Sequence, residues 1–514
     1  MTDADVLRHR LAGAGGSPAA RTAVRIRGFV HILTDTTLGG GLSDHGADTR
    51  IDRDTATGRP RWAGTGQAGA LRHHTKAVLG AHWAERVFGT GDQDSPVRTT
   101  HALAYSVDGG YPAVASRDGN RVDPPTGIVE PGAVFTDEVL TAGAVFPIDW
   151  AVVTTADLLV ETTAALVRAI DGLSDGSIGL GHRAGKGRGR VTATGWTVTT
   201  HDLSTPDGFR SWHSRDRGAD VWSPPTETTD LVAQLEDHLP GLGEQVHRLR
   251  EIDLRKRLVI RLGLDLAETV PVTARRFVVR PSTMVQSGPA ADRRVGAGPV
   301  ARSPLVRPTG IDGTAVPIDS GSAVHSWLKR HTGWILHELA TRAVDPDAAH
   351  LRADRIHEDL FGTVPRTGQV PSTVRPSRVK VTEAVITGST RAFLPHVRLN
   401  PLTQGVVPHH LFTEEVLVGG ASAITVTVNR PHLHDLGAFA WLLRDLKAGV
   451  LPPMGAGTTN GHGRRILTDA ALDVPEGIRG TADAPFATWA AFSTHPLRSA
   501  ATAALAAAIE EGPL

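Results

Sequence analysis

Arg121 to Ala144 reads RVDPPTGIVEPGAVFTDEVLTAGA, and Arg398 to Ala421 reads RLNPLTQGVVPHHLFTEEVLVGGA. Laid over each other without a gap, the two stretches are identical at 12 of 24 positions. Working outward, Phe88-Gly89-Thr90 recurs as Phe361-Gly362-Thr363. Gly179, Gly181, Gly185, Gly187 and Arg188 recur as Gly455, Gly457, Gly461, Gly463 and Arg464. The three echoes keep one order, at offsets of 273 to 277 residues. Self-similarity at a fixed period marks repeated structural units. Two copies of one module are therefore expected.

Each copy opens on an alternating stretch, VRIRGFVHIL (Val24–Leu33) and LVIRLGLDL (Leu258–Leu266), the period of a half-buried strand. A helix follows. Gln67 to Phe88 carries Leu71, Val78, Leu79, Trp83 and Val87 at roughly helical spacing, and Ser322 to Arg342 carries Val324, Trp327, Leu328, Trp334, Ile335 and Leu339. Strands within Phe135–Val153 and Phe412–Val428 come next, then helices over Ala156–Ile170 and Leu433–Lys447, the glycine loop and a last strand. This order predicts an α+β fold of two tandem ferredoxin-like, or RRM-like, units. Ser204 to Pro225 reads as irregular. Leu231, Leu235, Leu239, Leu242, Val246 and Leu249 predict linker helices broken at Pro240-Gly241, and an Ala-rich helix spans Leu497–Glu510. The expected division is 1–21 as an N-terminal extension, 22–203 as the first domain, 204–257 as a linker, 258–468 as the second domain and 469–514 as a tail.

The composition is that of a globular protein, 40% hydrophobic and 21% charged over 514 residues. No apolar run has membrane-spanning length, and Met1 to Arg21 lacks the pattern of a signal peptide. There is no cysteine, which excludes disulfides and thiolate metal sites and suits a cytoplasmic protein. Net charge is zero, yet Arg248 to Arg307 holds thirteen Arg/Lys against five Asp/Glu. Such a run is either a solvated face or a polyanion footprint.

Two motifs carry potential chemistry. IGLGHRAGKGRGR (Ile178–Arg190) begins like a dinucleotide fingerprint, but a helix precedes it and a strand follows, the reverse of what that fingerprint needs. A backbone-exposed loop bearing Arg183, Lys186, Arg188 and Arg190 suits phosphate contact, with Arg464 and Arg465 in the second copy; a tight packing turn is the alternative. The second motif is the loop after the first strand, where Asp44, Asp48, Asp52 and Asp54 fall within eleven residues. It could hold a divalent ion against a phosphate, or be a solvated turn. The histidine pairs His73-His74, His409-His410 and His432 with His434 show no third ligand.

In the order and spacing of Arg25–Leu33, Asp48–Asp54, Gly58–Arg72, Arg121–Phe146 and the glycine loop, the chain resembles the RAMP superfamily, specifically backbone subunits of type III CRISPR–Cas effectors. The resemblance covers most of 22–200 and, more weakly, 258–467. It implies a subunit that grips a crRNA guide alongside other CRISPR effector subunits, with a thumb-like hairpin whose position matches Ser95–Gly132. Arg50, Arg53 and Arg72 join the glycine-loop cations as expected RNA contacts. In target-cutting members an aspartate of the first loop supports metal-dependent cleavage of the paired target RNA. Counted back from Arg53-Asp54, that residue is Asp48, with Asp44 next, and Mg²⁺ or Mn²⁺ is the implied cofactor. Two departures stand out. The family's Gly-Ser-Ser-x-Lys-Gly helix start is Gly64-Thr-Gly-Gln-Ala-Gly69 here, and the second copy reads VARSPLV (Val300–Val306) where the aspartate would fall, unless Asp292 stands in. Three functions remain in competition: a metal-dependent endoribonuclease, a non-catalytic RNA scaffold, and a metal-independent guide processor using His31, His45 or His182.

Overall fold

The structure, a computed structural model, describes residues 21–39, 48–122, 129–214, 230–266, 269–272, 275–278, 284–285, 294–295, 298–363, 375–455, 462–480 and 485–512. The chain divides into two units. The first takes residues up to Ala184, Gly189–Arg255 and Pro308–Thr314; the second takes Gly185–Arg188, Lys256–Arg307 and Ala315 onward.

In the first unit, β1 (Arg21–Ile32) turns Val24, Ile26, Val30 and Ile32 inward and lies at the centre of an antiparallel sheet. A helical pair follows, α1 (Gly64–Leu79) and α2 (Ala81–Phe88), then the edge strand β2 (Val97–Thr99). Here sequence periodicity suggested one continuous helix; Gly80, at φ +97°, breaks it in two. Strands β3 (Val114–Val122) and β4 (Val129–Leu140) form a separate two-stranded hairpin, and β5 (Ala144–Thr155) returns to the sheet. Helix α3 (Ala156–Ser174) covers one face, and β6 (Val191–Asp202) closes the order β2-β5-β1-β6. Last strand, first, third, second: this is the ferredoxin-like sheet, in which each helix crosses over to bury the same face. The region Ser95–Gly132 thus spans a sheet edge as well as part of the projecting hairpin.

After β6 comes α4 (Pro206–His213), capped by Thr205, where the sequence looked irregular because Pro206 and Gly208 mask a short helix that starts on its proline. Helices α5 (Leu231–His238) and α6 (Leu242–Arg250) are broken at Gly241 as expected. They are no free linker. Leu235, Leu242 and Val246 are fully buried in the core of the first unit, and Arg250 pairs with Asp171 of α3 at 2.8 Å. Six leucine and valine positions contribute on the order of 1.5–3 kcal/mol each when covered, which holds α6 on α3 and α5 on β6.

The second unit repeats the plan. Central β7 (Arg257–Leu266) is followed by the counterparts of α1 and α2, namely α7 (Gly321–Thr341) and α8 (Pro346–Phe361), and by short strands β8 (Val379–Val381) and β9 (Ala384–Thr387). The hairpin β10 (Thr390–Leu399) and β11 (Val406–Val418) precedes β12 (Ala421–Asn429), α9 (Leu433–Lys447) and β13 (Arg465–Asp473). The sheet runs β9-β12-β7-β13, with β8 also on β12 and two further strands, Thr314–Asp319 and Val306–Thr309, beyond β9. The tail helix α10 (Pro496–Glu510) packs on α9 through Ala501 and Leu505 and completes this core. Both units are thus ferredoxin-like α+β domains, with a helical C-terminal tail. Among the described residues no helix is long and apolar enough to cross a membrane.

Candidate active site and nucleic-acid interface

The loop after β1 does not hang free. Thr36 pairs with Leu140 and Thr49 with Asp137, so the returning loop runs along β4 as an added strand. Asp48 is thereby fixed at an exposed place: its N–H donates to the Thr136 carbonyl at 2.8 Å, and its Oδ2 accepts the Thr136 N–H at 2.7 Å. Across the hairpin, the Thr136 hydroxyl donates to Asp118 Oδ1 at 2.7 Å. Two exposed carboxylates, Asp48 and Asp118, therefore flank one threonine, and Asp118 had no signal in the sequence beyond its place opposite Thr136.

Around them the hairpin base is tied by ion pairs. Buried Asp35 accepts from Arg117 Nε at 2.7 Å, and Asp137, also buried, faces Arg183 at 3.4 Å. The Arg183 guanidinium stacks 4.0 Å over Phe135. Arg53 pairs with Glu138 and donates to the Tyr111 hydroxyl at 2.7 Å, while Ile51 N–H donates to Glu138 at 3.0 Å. Arg61 and Asp52 are joined by two hydrogen bonds of 2.9 and 3.1 Å. These bonds tie Asp48 and Ile51–Arg61 to their neighbours, so Asp48 projects from backbone paired with β4.

The glycine loop is a packing device as well as a basic one. A Cβ on Gly189 would lie 1.9 Å from the Leu180 carbonyl oxygen, and one on Gly463 would lie 1.9 Å from the Met454 carbonyl oxygen. Leu180 N–H donates to Gly189, and Met454 N–H donates to Gly463, at 2.9 and 2.8 Å. The equivalent pair is therefore Gly189 with Gly463, two residues away from the Gly187–Gly463 register that the sequence suggested. Arg190 then corresponds to Arg464, each lying over a left-handed glycine, Gly176 and Gly449.

The expected RNA-contacting cations separate by environment. Arg50, Arg72 and Arg190 are exposed. Lys186 is half-buried; Arg53 and Arg183 carry the pairs above, and Arg464 donates to the Gly449 carbonyl at 2.9 Å. Arg188 is buried. Arg465 is buried too, its guanidinium 2.7 Å from buried Asp319, which also accepts from Ser422. Charge in a sequence does not say which way a strand residue faces, and position 465 opens β13 on its inward side. Asp44 and His45 lie outside the described residues, as does Asp292.

In the second unit the strand Gly298–Pro304 runs parallel to β11 just as the first loop runs beside β4, with Val300 opposite Thr413 and Arg302 opposite Glu414. Positions 300–302 are Val, Ala and Arg, so no carboxylate stands where Asp48 stands in the first unit. Of the histidines proposed as acid or base, His31 is buried and its Nε2 lies 2.9 Å from the Thr194 hydroxyl; burial pushes its pKa down. His182 is exposed, with its ring nitrogen accepting from Arg183 Nε at 3.1 Å.

Mg²⁺ takes a carboxylate or two and fills its remaining positions with water and phosphate oxygens. Asp48, exposed and with Oδ2 already oriented by a backbone N–H, fits that demand, and Asp118 stands beside it across Thr136. Fold and site together define a ferredoxin-like protein with an acidic, arginine-bordered hairpin base. Residues 29–192 match the family model described as the RAMP superfamily, which supports RAMP membership; proteins of that superfamily are generally CRISPR-associated and RNA-binding. No curated protein matches the chain.

Proposed function

We propose that this protein is a guide-RNA-binding backbone subunit of a type III CRISPR effector, built from two fused RAMP modules, and that its first unit cuts guide-paired target RNA. The observation that carries the reading is Asp48, an exposed carboxylate bonded to Thr136 at the hairpin, inside the stretch that matches the superfamily. Its place in the second unit is taken by apolar and basic residues, so one cut per chain is expected.

Cleavage would follow in-line attack of a 2′-hydroxyl on the adjacent phosphate, breaking the P–O5′ bond to leave a 2′,3′-cyclic phosphate and a 5′-hydroxyl that takes up the proton. Mg²⁺, when bound, supplies charge neutralisation at that phosphate. Asp48 would hold the ion through its carboxylate, Thr136 N–H fixes that carboxylate's orientation, and Arg50, Arg72 and Arg190 would hold the RNA backbone. A scaffold without cleavage is the second reading. It is favoured by the absence, among the described residues, of a third metal-ligating group beside Asp48.

The first test is to sequence the RNA that co-purifies from the native host: uniform short RNAs with a shared repeat-derived tag are expected. With that guide loaded, Asp48→Ala should lower target cleavage by at least about 100-fold, the scale of one essential catalytic group, while leaving guide and target binding unchanged. Cleavage equal to the natural chain's would remove the catalytic assignment; no cleavage by the guide-loaded natural chain, with RNA binding insensitive to both EDTA and Asp48→Ala, would establish the scaffold.

A further inference from the structure

A second cluster lies in the second unit and has no part in the reading above. His396 on β10, Glu414 on β11 and His462, just before β13, bring one ligand atom each to within 4.8 Å of one another. His396 Nε2 is 3.1 Å and His462 Nε2 3.2 Å from the same oxygen, Glu414 Oε2. Glu414 and His462 are fully buried, and His396 is largely so.

We propose that His396, Glu414 and His462 form a zinc site that pins the β10–β11 hairpin to the glycine loop of the second unit. The spacing fits the ion. Ligand bonds of about 2.0–2.1 Å at tetrahedral angles place neighbouring donor atoms about 3.3 Å apart, close to the two separations seen here. Two imidazoles and a carboxylate are a donor set that Zn²⁺ favours over Mg²⁺ or Ca²⁺, and three protein donors leave a fourth position for water. The register supplies the convergence. Leu394 lies opposite Glu414 and His396 opposite Phe412, so His396 and Glu414 are diagonal neighbours on one face of the hairpin.

The first unit shows what the site replaces. In the paired stretches Asp137 occupies the place of Glu414, and Arg183 from the first glycine loop sets a permanent cation against it. In the second unit imidazoles stand there instead. An imidazole coordinates through a ring-nitrogen lone pair, whereas a guanidinium cannot. The same junction of hairpin and loop is thus closed by an ion pair in one unit and by a metal ion in the other.

The test uses the full chain, dialysed against chelator and then offered Zn²⁺ or Co²⁺ alone. One Zn²⁺ per chain should be retained, Co²⁺ should give the intense d–d absorption of a tetrahedral N/O site, and Zn²⁺ should raise the melting temperature. His462→Ala should weaken Zn²⁺ binding by more than the ~10–100-fold typical of losing an outer-shell partner. His396→Ala, at the most accessible ligand, should do the same with its circular dichroism unchanged, and His247→Ala, whose side chain is exposed on α6, should have no effect. A wild-type chain that retains no stoichiometric Zn²⁺ and leaves Co²⁺ octahedral overturns the site, as does undiminished binding in both ligand variants. Neither result bears on cleavage at Asp48.

Discussion

The RNA-facing lysine of the resembling family falls on Gln67 or Ala68 of this helix start, and the surroundings of Gln67 show what that side chain does instead. It is fully buried; its Nε2 donates to the Trp62 and Thr100 carbonyls at 2.9 and 2.7 Å, and its Oε1 accepts from Trp150 Nε1 at 2.6 Å. Every polar atom of the side chain has a partner, and the amide ties α1 to the sheet. Gln67→Lys would bury an ammonium and strip Trp150 of its acceptor. It should destabilise the first unit by about 3 kcal/mol or more, read as a lower melting temperature, with no gain in RNA affinity. The same logic governs Arg465. Removing it as Arg465→Ala leaves Asp319 buried without its guanidinium, and unfolding of the second unit should become easier by about 3–5 kcal/mol, measured by denaturant titration. Neither environment is legible in the sequence, where Gln67 looks like a lost contact and Arg465 like a phosphate ligand.

At the scale of elements, periodicity located the helices and strands well because their apolar positions are dictated by which face is covered. Leu433–Lys447 is a helix over those same residues and the expected break at Gly241 is there, whereas the break at Gly80, also at positive φ, interrupts what the periodicity gave as one helix. Pairing was harder to foresee. The hairpins β3–β4 and β10–β11 leave the main sheets and hold the two proposed sites, where loop and strand meet through backbone bonds that no local pattern encodes. The Ala-rich tail has a specific partner: a Cβ on Gly437 of α9 would lie 2.2 Å from the Ala501 carbonyl oxygen of α10. Gly437→Ala should therefore push the two helices apart and cost about 1–3 kcal/mol despite alanine's better helix propensity. Faster proteolytic release of the tail would report it; unchanged release would show that the helices tolerate the shift.

For the whole molecule, buried histidines set the acid limit. Desolvation, aided by Arg255, lowers the His74 pKa to about 4, and desolvation with Lys186 and Lys329 lowers that of His325 to about 3. Both are neutral when folded and regain a pKa near 6.5 when unfolded. The unfolded chain binds more protons in this window, so stability is full above about pH 6.5 and declines as pH falls towards 4. Melting temperatures measured from pH 7.5 to 4.5 should fall steadily, and His74→Gln should flatten part of that slope; a flat profile in the natural chain would contradict the burial argument.

The sequence alone determined the two-module α+β plan, the order of elements in each copy, and Asp48 as the residue to test. All of these rest on local periodicity or on repetition along the chain, which folding does not alter. Tertiary structure decided the rest. It set which basic residues face water and which are spent on buried acids, moved the glycine-loop register by two residues, and folded the expected linker and tail into the cores of the two units. It also gathered His396, Glu414 and His462 from three separate segments. The physical reason is common to all of these: burial and proximity depend on how the segments pack together, and side chains far apart in the chain become neighbours only once strands have chosen their partners.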